Sequence, residues 1–160
     1  MPEATITNPG SLYGLSATAP NQFVEMLNNS GASLFPGDVV AIATDVTGVL
    51  VTTTTTVNDK TVIGVVGAKV PSDSLNSQAP ASYASQAVCP VIIRGPARIN
   101  IGANTVAAGD LLASSATAKV AATNAGTPAA NAVTGSIIAI ALEAYTAKDA
   151  NNTIRAYINK

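Results

Sequence analysis

The chain has 160 residues, 8 Lys and Arg against 9 Asp and Glu, a net charge of −1, one cysteine and no histidine. Charged residues make up 11% of it, against about 25% in an ordinary soluble domain. This removes the usual imidazole base, the commonest metal ligand, an intramolecular disulfide, and the basic patch by which a protein holds nucleic acid or an anionic membrane.

The length suits one domain, or one domain and an arm, with enough chain to bury a core without staples. No apolar run approaches the ~18 residues of a membrane-spanning helix. A surface built of Ser, Thr, Asn, Ala and Gly fits a protein packed against copies of itself or against a larger shell, because charged groups are costly to desolvate at the centre of an interface. It fits nearly as well a secreted bacterial domain with an uncharged exterior.

Residues 1–21, MPEATITNPGSLYGLSATAPN, hold three prolines and two glycines without a sustained period. They read as an extended N-terminal arm. Leu12, Tyr13 and Leu15 are its bulky apolar groups, either folded back on the domain or anchoring the arm in a partner's groove. The segment lacks the basic and apolar regions of a signal peptide, which predicts folding in a host cytoplasm.

From residue 22 to 160 the texture is that of a single β domain. QFVEMLNN alternates like a strand, NNSGAS turns, and LFPGDVVAIAT opens a second strand. LVTTTTTV, residues 50–57, is β-branched and polar on both faces, an extended strand with nothing to blunt its edge before Asp59 and Lys60. Either a neighbouring subunit covers that edge or a closed barrel leaves none. TVIGVVGAKV follows, and residues 71–86 form a long polar loop.

AVCPVIIRGPARINIG resumes strand character with a bend at Gly95-Pro96. AAGDLLASSATAKVAAT gives a turn and a strand, SIIAIALEAYTA a strand, and TIRAYINK the last one. Gly-Asp occurs at 37–38 and at 109–110, each time before an apolar pair, and Gly64 and Gly135 follow at similar distances. The halves share a layout through duplication, or the match is coincidence. The expected fold is all-β, a small sandwich or barrel with an extended N-terminal arm.

Chemistry is sparse. Most carboxylates sit in turns, where bonding to nearby backbone N–H groups is their ordinary work. Glu25 and Glu143 lie in strand-like segments, where burial would raise a carboxyl pKa, but two scattered groups do not make an acid/base pair. No segment has the ligand density of a calcium loop or the form of a phosphate loop. Tyr83, in the 71–86 loop, is the aromatic best placed for a glycan, with plain surface decoration as the alternative. Cys89 reads as a small apolar strand residue. Arg94 and Arg98 flank the bend, either solvated or paired with an adjacent subunit. No catalytic, metal or cofactor residue is expected.

The segments GDVVAIATDVTGVLVTTTTTVNDKTVIGVVG, GPARINIGANTVAAGDLLASSATAKVAAT, TGSIIAIALEA and TIRAYINK together resemble the small β-rich structural proteins of tailed bacteriophages, above all capsid decoration (cement) proteins. The likeness runs from about Asn28 to Lys160 in order and texture. It implies a non-enzymatic virion protein on the capsid exterior, a homotrimer that binds the major capsid protein and stabilises the head by bridging its subunits. Residues 1–21 would be the arm that reaches the capsid through Leu12, Tyr13 and Leu15. Thr53, Thr55, Arg94 and Arg98 are the expected inter-subunit contacts. The alternative is a receptor- or glycan-binding head domain of a phage fibre or bacterial surface protein.

Overall fold

The computed structural model describes residues 21–44, 50–68, 82–123, 135–146 and 153–160. Among these residues nine strands follow in order: β1 (Gln22–Asn28), β2 (Val39–Ile42), β3 (Leu50–Thr52), β4 (Val62–Val66), β5 (Val88–Asn100), β6 (Leu111–Ser114), β7 (Ala121–Thr123), β8 (Ile137–Ala141) and β9 (Thr153–Asn159). The fold is all-β, and Ile137–Ala141 is a strand despite its alanine content. Leu12, Tyr13 and Leu15 lie outside the described residues, as does most of the 71–86 loop.

The strands form one sheet in the order β1-β3-β2-β4-β5-β9-β8-β6-β7, and β1 also pairs with β5. That extra pairing closes β1, β3, β2, β4 and the first half of β5 into a five-stranded barrel. The remaining strands continue from the second half of β5, which pairs with β9 from Arg94↔Asn159 to Asn100↔Thr153. β5 runs unbroken for 13 residues. It turns from one role to the other at Gly95, whose φ of +114° only glycine adopts readily.

The two parts are copies of one five-stranded unit that share β5. In the first, β2 pairs with β4 as Val39↔Val65, Val40↔Gly64 and Ala41↔Val62, with an irregularity between Val40 and Ala41. In the second, β6 pairs with β8 as Leu111↔Ile140, Leu112↔Ala139 and Ala113↔Ile137, with the irregularity between Leu112 and Ala113. The next pairings match as well: Val65↔Ile92 and Val66↔Val91 against Ile140↔Tyr157 and Ala141↔Ala156. Outside the strands, Leu34 bridges Tyr83 as Val106 bridges Tyr145. The shared layout suggested by the Gly-Asp pairs is therefore present. The second glycine match is not: Gly64 takes the place of Ala139 rather than of Gly135.

The units differ in closure. Parallel pairing of Leu27 with Leu50 and Asn28 with Val51 seals the first around Met26, Leu34, Val40, Val51, Val66, Tyr83, Cys89 and Val91. Among the described residues β7 ends the sheet of the second unit. Its inner face, with Ile99, Leu112, Ala139, Ile154 and Ile158, packs instead on the outer face of the barrel, against Val39, Ala41, Val62 and Val65. Every one of these side chains is at most 2% exposed. Burial of this order, about 1.5–3 kcal/mol for each Val, Leu or Ile, supplies the main driving force for the fold.

The threonine run departs from expectation. Only Leu50–Thr52 is strand, and it is an interior strand of the barrel, paired with both β1 and β2. Thr54 and Thr56 belong to a loop pinned by side chains: Thr54 donates its hydroxyl to Asp59, and Ser114 of the second unit donates to Thr56 O at 2.8 Å. A closed barrel leaves this strand no edge to protect, so lysine and proline are not needed there.

Candidate interaction surfaces

Alternate residues of an antiparallel pair share a face. On the outside of the barrel the β1–β5 register therefore sets Phe23 beside Ile92, Glu25 beside Pro90, and Leu27 beside Val88. Phe23 is 58% and Val88 57% exposed, a large apolar area for a protein surface. Together with Pro90 and Ile92 they line a groove of 710 Å³. The opposite wall is built around Tyr83, whose hydroxyl donates to Gly67 O at 3.0 Å. Gly67 keeps the floor low: a Cβ there would stand 3.2 Å from Ile92 Cγ1. Among the described residues Glu25 is the one carboxylate lining the groove.

Tyr83 is 4% exposed, so its ring is core and not a platform for a sugar. Glu25 is exposed rather than buried. Glu143 follows the end of β8, and its pKa moves opposite to expectation: the Arg155 backbone N–H at 2.7 Å and the Arg155 guanidinium at 3.0 Å hold it below the usual carboxylate range. Cys89 is buried in the barrel, where desolvation pushes its thiol pKa up and keeps it protonated.

Three further described carboxylates, Asp38, Asp59 and Asp110, do turn work, as expected, while Glu3, Asp45, Asp73 and Asp149 lie outside the described residues. Asp38 accepts the Phe35 N–H, Asp110 the Ala107 N–H, and Asp59 the Thr61 N–H, each at 2.8 Å. Burial raises the pKa of Asp38 against three weaker opposing effects, the Phe35 N–H, Asn100 and Lys119. For Asp59 the penalty of burial is outweighed by the hydrogen bonds from Thr54 and Thr61, and its pKa falls. No group of three or more His, Cys, Asp and Glu gathers among the described residues to hold a metal ion.

The other anticipated contact residues fall into two places. Thr53 is half-buried and Thr55 exposed in the loop after β3, while Arg94 and Arg98 are exposed on β5. Sequence reasoning missed the groove, because it depends on β1 and β5 being neighbours, a long-range pairing that no local pattern reveals. The exposed Phe23 and Val88 were its available signal.

No family model matches the chain. No curated protein matches it in sequence. Among solved structures it is similar to the N base of the head fibre gp8.5 of bacteriophage phi29, with 11% identity and a TM-score of 0.48 over 86% of this chain and 95% of that one.

Proposed function

We propose that the chain is a structural, non-enzymatic protein of a tailed-phage virion that binds the outer surface of the icosahedral head and stabilises it by bridging capsid subunits. The observation that carries this reading is the apolar groove under Phe23 and Val88, set in a surface poor in charge. Exposed apolar area of that kind marks a protein-binding face. The resemblance of its segments to cement proteins supplies the rest: a homotrimer, the major capsid protein as partner, and an arm at residues 1–21. A ligand that binds only the assembled shell shifts the assembly equilibrium toward it, so many small contacts suffice.

Titrating purified chain onto undecorated heads tests the role. Saturation at a fixed copy number, with heads that tolerate higher temperature, is the expected result. Absence of binding removes the proposal. Deleting residues 1–21 should leave a folded protein that no longer holds to heads, and unchanged affinity would refute the arm.

A further inference from the structure

All three arginines of the chain, Arg94, Arg98 and Arg155, are exposed on the outer face of the β5–β9 pair. The register explains how: Arg94 stands opposite Asn159, Pro96 opposite Tyr157, and Arg98 opposite Arg155, alternate positions whose side chains leave the sheet on the same side. Tyr157 lies at the centre. The same row continues through its partner Ile140 to Leu111, which are 41% and 43% exposed. The alternate residues between them, Ile154, Ala156 and Ile158, are fully buried, so the outward direction of this face is not in doubt.

The corresponding face of the first unit is covered. Val39 and Val65, the counterparts of Leu111 and Ile140, are 1% and 0% exposed under the second unit. Nothing in the described chain covers the second unit's face in the same way. Among the described residues its charge is also unbalanced. Glu143 bonds Arg155 at 3.0 Å and is close enough to Arg98 to feel it, but neither Arg94 nor Arg98 forms an ion pair with a described carboxylate.

We propose that this face, Arg94, Arg98 and Arg155 around Tyr157 with Ile140 and Leu111 alongside, is a docking surface for an acidic segment of a partner protein that also carries apolar groups. Arginine and tyrosine beside exposed aliphatic groups are the composition of a protein interface, and a guanidinium fork pairs best with a carboxylate. Nucleic acid fits less well, since three guanidinium groups in a chain of net charge −1 give little phosphate-tracking field. The described residues of a second copy offer a poorer match too. Asp38, Asp59, Asp110 and Glu143 are committed to bonds within their own chain, leaving Glu25 as the exposed carboxylate among the described residues that forms no such bond.

The inference deepens the head-binding role but is testable apart from it. The probe is a fluorescently labelled glutamate–tyrosine copolymer, with a lysine–tyrosine copolymer and a single-stranded oligonucleotide as comparisons. The wild-type chain should bind the acidic copolymer in preference to both. The double reversal Arg94→Glu with Arg98→Glu should weaken that binding roughly tenfold or more, while Lys60→Glu, a reversal at an exposed turn, changes it less than about twofold. All three substitutions are on exposed side chains, and an unchanged thermal midpoint confirms folding. Copolymer binding insensitive to the double reversal overturns the proposal. So does equal affinity for the oligonucleotide, or self-association that the reversal abolishes, which would give the face to a second copy. Copolymer binding by a chain that ignores undecorated heads would sink the head-binding role and leave this face standing.

Discussion

Asp38 and Asp110 fill the same position in two copies of one turn: each carboxylate accepts the N–H three residues earlier, at 2.8 Å in both, behind a glycine with φ of +98° or +91°. Their surroundings differ. Asp38 is 3% exposed and is further bonded by Asn100 at 3.3 Å, with Lys119 at 3.8 Å, while Asp110 is only half-buried. Replacing Asp38 by Ala strands buried donors and should cost roughly 2 kcal/mol, whereas Asp110→Ala loses a solvent-replaceable bond and should cost under about 1 kcal/mol. Urea unfolding of the two variants checks the ratio, and equal losses would contradict it.

The same asymmetry sets a pH dependence. A carboxyl whose folded pKa stands above its unfolded value contributes stability that is complete below about pH 3.8 and is lost as pH rises through the folded value. Asp38 acts in this direction, whereas Asp59 and Glu143, both lowered, contribute stability above their unfolded pKa and lose it on acidification. Asp38→Asn keeps an acceptor for the Phe35 N–H and removes the ionisation. The difference in unfolding free energy between Asp38→Asn and wild type should therefore shift in favour of the variant as pH climbs from 3 to 7. A constant difference across that range would mean that Asp38 does not titrate as its burial requires.

The strands were largely legible because each is a short β-branched run between turn residues. QFVEMLN, VIGVV, IIAIA and TIRAYIN all announce themselves. The Gly-Asp pairs gave a true sign of the repeated layout. What could not be read was which strands neighbour each other. β1 reaches across the chain to pair with β5, so the groove lined by Phe23 and Ile92 appears only once the barrel closes. The threonine run misled for a related reason. Its β propensity is real, but Ser114, far along the chain, holds Thr56 and Asp59 in a loop. AAGDLLASSATAKVAAT hid two strands, since the hairpin turns on Lys119 at φ of +70°, a conformation rare for lysine and unmarked by glycine.

Gly64 carries the tightest backbone approach among the described glycines. A Cβ on it would stand 2.1 Å from Ile92 O, inside the neighbouring β5 strand. Gly64→Ala must therefore push two barrel strands apart, at a cost of about 3 kcal/mol or more. The counterpart in the second unit is already Ala139, and Ala139→Gly should cost only about 1 kcal/mol through lost packing and added chain entropy. Thermal midpoints compare the two, and a Gly64→Ala protein as stable as wild type would mean that β4 and β5 are spaced differently.

Ser114 fastens the units together. Buried at the end of β6, it donates to Thr56 O at 2.8 Å and accepts the Asp59 N–H at 2.8 Å, both from the barrel's loop. Ser114→Ala leaves both backbone groups without that partner, a loss of roughly 1–3 kcal/mol. The expected sign is faster amide exchange at Asp59 and its neighbours, with the core amides of β9 slowed or quickened only as far as global stability changes. Unaltered exchange at Asp59 would show that water replaces the serine without penalty.

The groove gives a test in which binding and stability separate. Phe23 is 58% and Val88 57% exposed, so little of either side chain contributes to the fold, and exposed substitutions usually change stability by no more than about 0.5 kcal/mol. Phe23→Ser with Val88→Ser should therefore leave the unfolding midpoint nearly unchanged. If the groove is the surface that meets the capsid, removing its two most exposed apolar groups should lower affinity for undecorated heads by about thirtyfold or more, since an aromatic anchor commonly carries about 2 kcal/mol or more. Gly67→Val probes the same place from below: its side chain would press on Ile92 and Pro90 and fill the floor. Loss of binding in both variants assigns the interface to this groove, whereas full binding in both moves it elsewhere on the molecule.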